Sequence, residues 1–151
     1  MNELEQLNCI MVIDDDEPTN FLNTMLIEDA NCTKHLRIVE SGLKALDYFE
    51  NLLRKKKDII AYIPPDLVFL DINMPCMNGW EFLEEYRNLQ NEQPHRPVII
   101  MLTTSLDPED RVKAANIPEV AGFENKPLTS EMIDRLIKTH FAPTGYGRSL
   151  Q

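Results

Sequence analysis

Asp14-Asp15, Asp71, Thr103-Thr104 and Lys126 are the residues of this chain whose types could do chemistry together, and each lies at or just past the end of a short apolar run. Carboxylates brought together repel and raise one another's pKa, so such a cluster makes physical sense with a divalent cation among them. Hard oxygen ligands favour Mg2+, which takes a few protein oxygens and keeps several waters. A lysine offsets charge on one phosphoryl oxygen and a hydroxyl hydrogen-bonds another. An aspartate in the middle of the set can then be a nucleophile that forms an aspartyl phosphate, the protein's main task being to align the donor.

These groups meet only if the fold brings them to one edge. Cys9 to Ile13 is a continuous apolar run of strand length that stops at Asp14-Asp15-Asp16-Glu17. Pro18 suits a first helical turn, and Phe21, Leu22, Met25 and Leu26 predict an apolar stripe on a first helix. Asp16 and Glu17 suit the positive N-terminus of that helix. Leu36 to Val39 is a second strand. Ser41 N-caps a second helix with Leu43, Leu46, Phe49, Leu52 and Leu53 inward and the basic run Arg54 to Lys57 as a solvated last turn.

Pro64-Pro65 breaks the chain before a third strand, Asp66 to Leu70, that ends at Asp71. A third helix follows Asn73-Met74-Pro75-Cys76-Met77-Asn78-Gly79, with Phe82, Leu83, Tyr86 and Leu89 buried. Val98 to Leu102 is the most apolar run and the expected central strand; Asp107-Pro108 caps a short fourth helix. Val120 to Phe123 is a fifth strand leading to Lys126-Pro127. Ser130 to Phe141 is a fifth helix with Met132, Ile133, Leu136 and Ile137 on one face. Strict alternation of strand and helix implies an α/β fold with an open, doubly wound parallel sheet, whose functional groups gather beyond the carboxyl ends of the strands.

At 151 residues the chain suits one domain, since roughly 100 to 200 residues usually share one core. The expected organisation is a lead over 1–8, the domain over 9–141 and a loose tail over 142–151. With 15 Lys and Arg against 25 Asp and Glu, the formal charge of −10 repels a phosphate backbone and argues against direct nucleic-acid binding. Cys9, Cys32 and Cys76 lack disulfide or zinc spacing and read as reduced thiols. No apolar run reaches the roughly 18 to 20 residues of a membrane span, and the acidic N-terminus is unlike a signal peptide, so the expected location is cytoplasmic. His35, His95, His140 and Trp80 have no ligand-like spacing, and Met74, Met77 and Met101 read as packing.

The runs Ile10-Met11-Val12-Ile13-Asp14-Asp15, Leu70-Asp71-Ile72-Asn73-Met74-Pro75 with Gly79, Leu102-Thr103-Thr104-Ser105 and Lys126-Pro127-Leu128 together resemble the receiver domain of two-component response regulators, from about Cys9 to Phe141. The resemblance implies a flavodoxin-like (βα)5 sheet with strand order 2-1-3-4-5, the order of the family's chemotaxis member. It implies that Asp71 accepts a phosphoryl group from a histidine kinase or histidine phosphotransfer protein. Asp15, Asp71 and the backbone carbonyl of Asn73 would bind Mg2+, with Asp14 holding it through water. Lys126 would pair with the phosphoryl group, across a cis Lys126-Pro127 bond. Phe123 would be the switch aromatic that turns inward. Spacing back from Lys126 favours Thr104 as the switch hydroxyl, and the pattern at the strand end favours Thr103. Asn73 and Ser105 would influence the lifetime of the phosphoryl group.

The resulting expectation is a stand-alone phosphoacceptor switch rather than an enzyme, one that takes part in its own phosphorylation and dephosphorylation. Its output would pass through the fourth helix, fifth strand and fifth helix to a protein target, with Arg111 and Lys113 as candidate contacts, as a monomer or a phosphorylation-dependent dimer. Other readings are a receiver that docks independently of phosphate, a haloacid-dehalogenase-like phosphatase and a flavin-binding module. The phosphatase resemblance would want Asp-x-Asp after the first strand. The flavin reading lacks a Ser/Thr/Gly-rich phosphate cradle there.

Overall fold

The computed structural model describes residues 6–54, 62–90 and 96–141. Strand and helix alternate throughout: β1 (Leu7–Ile13), α1 (Glu17–Ala30), β2 (Thr33–Val39), α2 (Gly42–Leu53), β3 (Leu67–Leu70), α3 (Gly79–Gln90), β4 (Val98–Thr103), α4 (Pro108–Ala115), β5 (Val120–Asn125) and α5 (Ser130–Phe141). The strands form one sheet in the order β2-β1-β3-β4-β5, with every neighbouring pair parallel, as expected.

Successive strand residues point to opposite faces, and both faces of this sheet are covered. Met11, Ile13, Val68, Leu70, Ile99 and Met101 pack with Phe49 of α2 and Phe82 and Tyr86 of α3. On the other face Ile10, Val12, Leu67, Phe69, Ile100 and Leu102 pack with Ile27 of α1 and Ile133, Leu136 and Ile137 of α5. The double-sided core is why the central strands are unbroken apolar runs. Burying each Leu, Ile or Phe is worth about 1.5–3 kcal/mol, so this core sets the strand register that positions everything beyond the strand ends.

Helix starts follow local chemistry. Asp16, Ser41 and Asp107 are N-caps whose side chains accept from Thr19 N, Lys44 N and Glu109 N, and Pro lies in the first turn of both α1 and α4. Asn31 closes α1 in the left-handed region with φ 50°, a conformation asparagine tolerates better than most residues.

Several expectations need correction. The stripe Phe21, Leu22 and Met25 faces outward, at 65%, 64% and 48% exposure; the inward positions of α1 are Asn20, Asn23 and Ile27, with Leu26 half-buried. Asn20 is inside because its Nδ2 donates to Asp14 O at 2.8 Å, so a polar residue occupies a position that periodicity alone gives to the apolar face. Leu43 is likewise exposed, and Ala45, Tyr48 and Phe49 form the inner side of α2. β1 begins at Leu7, inside the expected lead, where Leu7 N donates to Cys32 O at 2.9 Å. β2 begins at Thr33 rather than Leu36. α2 ends before the basic run, with Arg54 as its C-cap; Lys55 to Lys57, His95 and the expected tail over 142–151 lie outside the described residues. Cys9, Cys32 and Cys76 are free thiols. Among the described residues, no helix is long and apolar enough to cross a membrane.

Candidate functional site

Sheet register accounts for the first contact of the site. Ile13 pairs with Leu70, so Asp14 and Asp71 each stand one residue beyond adjacent strand ends, and neighbouring strands lie about 4.8 Å apart. The ladder continues past the strands: Asp14 N donates to Val39 O at 3.0 Å and Asp71 N to Ile13 O at 3.0 Å. Thr103 pairs with Asn125 across β4 and β5, and Lys126 N donates to Thr103 O at 2.8 Å. The rim positions are therefore held by backbone hydrogen bonds as well as by core packing.

Asp14, Asp15 and Asp71 each offer a carboxylate oxygen, all within 4.8 Å of one another. Asp14 and Asp71 are buried and Asp15 is exposed. Lys126 crosses the group: its Nζ donates to Asp14 Oδ2 at 2.6 Å and lies 3.4 Å from Asp71 Oδ1. Burial, then the charge of Asp14, push the Asp71 carboxyl up to about 6, against the opposing pull of Lys126 and the Ile72 backbone N–H. Burial pulls the Lys126 ammonium down, but the hydrogen bond and charge of Asp14, followed by those of Asp71, outweigh it and hold its pKa above the ordinary lysine value. Hard oxygens gathered on one side of a single ammonium are a donor set suited to a small divalent cation such as Mg2+, which would offset the repulsion that burial leaves within the cluster.

The turn after β3 brings α3 against the acceptor. Gly79 N donates to Ile72 O at 2.8 Å, and a Cβ on Gly79 would stand 2.5 Å from Asp71 O, so only glycine permits that approach. Asn78 and Glu81 then cap α3 reciprocally, Glu81 N donating to Asn78 Oδ1 and Asn78 N to Glu81 Oε1, both at 2.9 Å. Asn73 is exposed, two residues past Asp71.

The other expected residues divide. Thr103 is fully buried at the end of β4 and its Oγ1 accepts from Ser105 N at 3.1 Å. Thr104 is exposed and, with Lys126, lines a groove of about 500 Å3 that also involves Leu22, Leu26 and Pro127. The Lys126-Pro127 bond is cis. Phe123 is half-buried on β5, and the Arg111 guanidinium lies over its ring at 4.7 Å from the centroid. Lys113 lies 4.7 Å from the centroid of the Trp80 ring. Thus Arg111 and Lys113, the candidate contacts for a target, both lie against aromatic rings of their own domain.

Two contributors were not visible in the sequence. Asn20 holds the carbonyl of Asp14, and Asn125 Nδ2 donates to Ser105 O at 2.7 Å and to Thr103 O at 3.4 Å. The only available signals were an asparagine beside an apolar stripe and another directly before Lys126. Neither by itself distinguishes a carbonyl holder from a surface residue.

Residues 10–138 match the family described as Response regulator receiver domain. A two-component response regulator from Cytophaga hutchinsonii has a solved structure that superposes with a TM-score of 0.75 at 32% identity, covering 89% of this chain and 96% of that one. A response regulator receiver protein from Dyadobacter fermentans gives 0.72 at 27% identity, covering 88% and 97%. Among curated proteins, a probable cyclic di-GMP phosphodiesterase of Vibrio cholerae is 30% identical over 142 residues, 93% of this chain and 28% of that protein. A probable histidine kinase 2 of Oryza sativa is 25% identical over 130 residues, 76% of this chain and 12% of that protein. The chain thus spans less than a third of these curated relatives' length.

Proposed function

The chain belongs to the response regulator receiver family, and from that membership we propose that it is a phosphoacceptor switch whose acceptor is Asp71. The observation that carries the reading is the position of Asp71 among Asp14, Asp15 and Lys126 at the sheet rim. An Asp71 carboxylate oxygen attacks the phosphorus, a new O–P bond forms, and the bond to the donor breaks with its electron pair leaving on the donor. Lys126, already shared between Asp14 and Asp71, re-aims to a phosphoryl oxygen as charge develops there. Asp15, Asp71 and the backbone carbonyl of Asn73, with Asp14 acting through water, would hold Mg2+, which would supply the remaining positive charge. Thr103 is the switch hydroxyl, since it ends the strand next to Asp71, and Phe123 turns inward as that hydroxyl moves.

A phosphohistidine on a histidine kinase or phosphotransfer protein is the donor. Supporting this is the outward face of α1, where Phe21, Leu22 and Met25 are exposed beside the groove that reaches Lys126. A contiguous exposed apolar patch beside a site is a feature of protein-interaction surfaces. Output passes through the α4, β5 and α5 surface to a protein target, and the chain works in the cytoplasm. Loss of the phosphoryl group by attack of water, with Asn73 and Ser105 flanking its path, returns the switch to its starting state.

Intact mass after treatment with Mg2+ and acetyl phosphate tests the reading. One added phosphoryl group in the wild type, absent from Asp71→Asn and from a chelator-treated sample, is the expected result. Equal uptake by Asp71→Asn would overturn it. No uptake by the wild type, with transfer also absent from a phosphohistidine donor, would favour phosphate-independent docking.

A further inference from the structure

Behind Thr103 the β4–α4 loop is tied down by Asn125 and Arg111, two side chains that the acceptor chemistry does not use. Asn125 Nδ2 donates to the carbonyls of Thr103 and Ser105. Its Oδ1 accepts from Arg111 Nη2 at 3.4 Å, and Arg111 Nη1 donates to Phe123 O at 3.4 Å. The same guanidinium lies over the Phe123 ring. Ser105 Oγ in turn donates to Asp110 on α4. One exposed arginine therefore joins the ring on β5 to the asparagine that holds the loop carrying Thr103.

We propose that Arg111 and Asn125 form a latch that holds Phe123 and the β4–α4 loop in the unphosphorylated arrangement and sets how readily the domain switches. The inference rests on the phosphoacceptor reading above, in which Thr103 moves toward Asp71 and Phe123 turns inward. Turning the ring inward takes it from under the guanidinium, and shifting the loop lengthens the bonds to Asn125. Both costs fall on the active state. A ligand that favours that state must work against them, so its apparent affinity carries the penalty. Arg111 and Asn125 are thus positioning residues, acting through Phe123 and Thr103.

Beryllofluoride, a phosphoryl mimic that adds to an aspartate with Mg2+, is the probe, titrated into the full chain and followed by 19F NMR of the bound fluorides. Arg111→Ala, whose side chain is exposed, carries the test; Asn125→Ala and the double variant accompany it. Each single variant is expected to bind about fivefold more tightly than wild type, the equivalent of one net hydrogen bond removed from the resting state. The double variant is expected to gain little more, because the two residues share one network. Arg111→Lys keeps a cation near the ring without the two-pronged reach, and should fall between wild type and Arg111→Ala. A merely structural role would lower the melting temperature of Arg111→Ala without raising its affinity, and that result overturns the latch. So does full additivity in the double variant. If the wild type itself binds no beryllofluoride at Asp71, the phosphoacceptor reading fails and the latch with it; if wild type binds and the variants gain nothing, the latch alone fails.

Discussion

Lys126 Nζ donates to Asp14 Oδ2 at 2.6 Å across 112 residues of sequence, joining the loop after β5 to the loop after β1 on the far side of β3 and β4. Both side chains are largely buried, so the pair's value lies in what its loss exposes. Removing one partner of a buried pair leaves the other charge uncompensated. Lys126→Met in chelator is expected to lose about 2–4 kcal/mol by urea denaturation, and Mg2+ should return much of it by re-supplying positive charge. A loss that Mg2+ leaves unchanged would mean that Lys126 acts by packing rather than by neutralising the carboxylates.

The raised Asp71 carboxyl makes a pH prediction with a definite sign. Between the ordinary value of 3.8 and about 6, the folded chain retains a proton that the unfolded chain has released. The native state therefore binds more protons than the unfolded state in that window, and its stability falls as pH rises through it. Asp71→Asn removes the charge, so in metal-free buffer the variant should match wild type near pH 4 and exceed it by about 1–3 kcal/mol at pH 7.5. Denaturant melts of both proteins across pH check this. A constant difference would place the strain elsewhere.

Gly79→Ala puts a methyl 2.5 Å from the backbone oxygen of Asp71. Backbone, unlike the tip of a flexible side chain, cannot give way cheaply, so a loss of about 1–3 kcal/mol is expected. Because the clash is with the acceptor residue itself, acetyl phosphate uptake should slow as well. Unchanged uptake with lowered stability would show that α3 moves and the Asp71 carboxylate stays.

For α1, Phe21→Ser and Leu22→Ser are expected to stay within about 0.5 kcal/mol of wild type, whereas Ile27→Ala should cost about 2–4 kcal/mol. Mg2+-dependent uptake from acetyl phosphate should survive the two serine variants, and transfer from a phosphohistidine protein should drop. Equal loss with both donors would argue against a docking role for this face.

Thr103→Ala and Thr104→Ala separate the two hydroxyls. Thr103→Ala should still accept a phosphoryl group and should lose the change in Trp80 fluorescence expected when α4, whose Lys113 lies over that ring, shifts. Thr104→Ala should keep both. The opposite pattern would make the exposed Thr104 the switch residue.

Much of this arrangement was legible in the residues alone. Unbroken runs such as Ile10 to Ile13 and Val98 to Leu102 require a sheet covered on both faces, and a carboxylate, hydroxyl or lysine directly after each run then lands on one rim. Caps at Ser41 and Asp107 are local chemistry and were readable from the residues beside them, whereas Asp16 was read only as a charge suited to the N-terminus of α1 and the structure makes it the cap. Periodicity misplaced Phe21, Leu22 and Leu43 because a count of apolar residues measures a helix's stripe but does not say which neighbour covers it. On α1 the inner side went to Asn20 and Asn23, one of which serves a carbonyl from another segment. The outward turn of that stripe, the reach of Lys126 to Asp14 and the chain from Arg111 through Asn125 to Thr103 all join residues far apart in sequence. Their partners are chosen by strand register and helix docking, which depend on the packing of the whole sheet, and so only the tertiary structure could decide them.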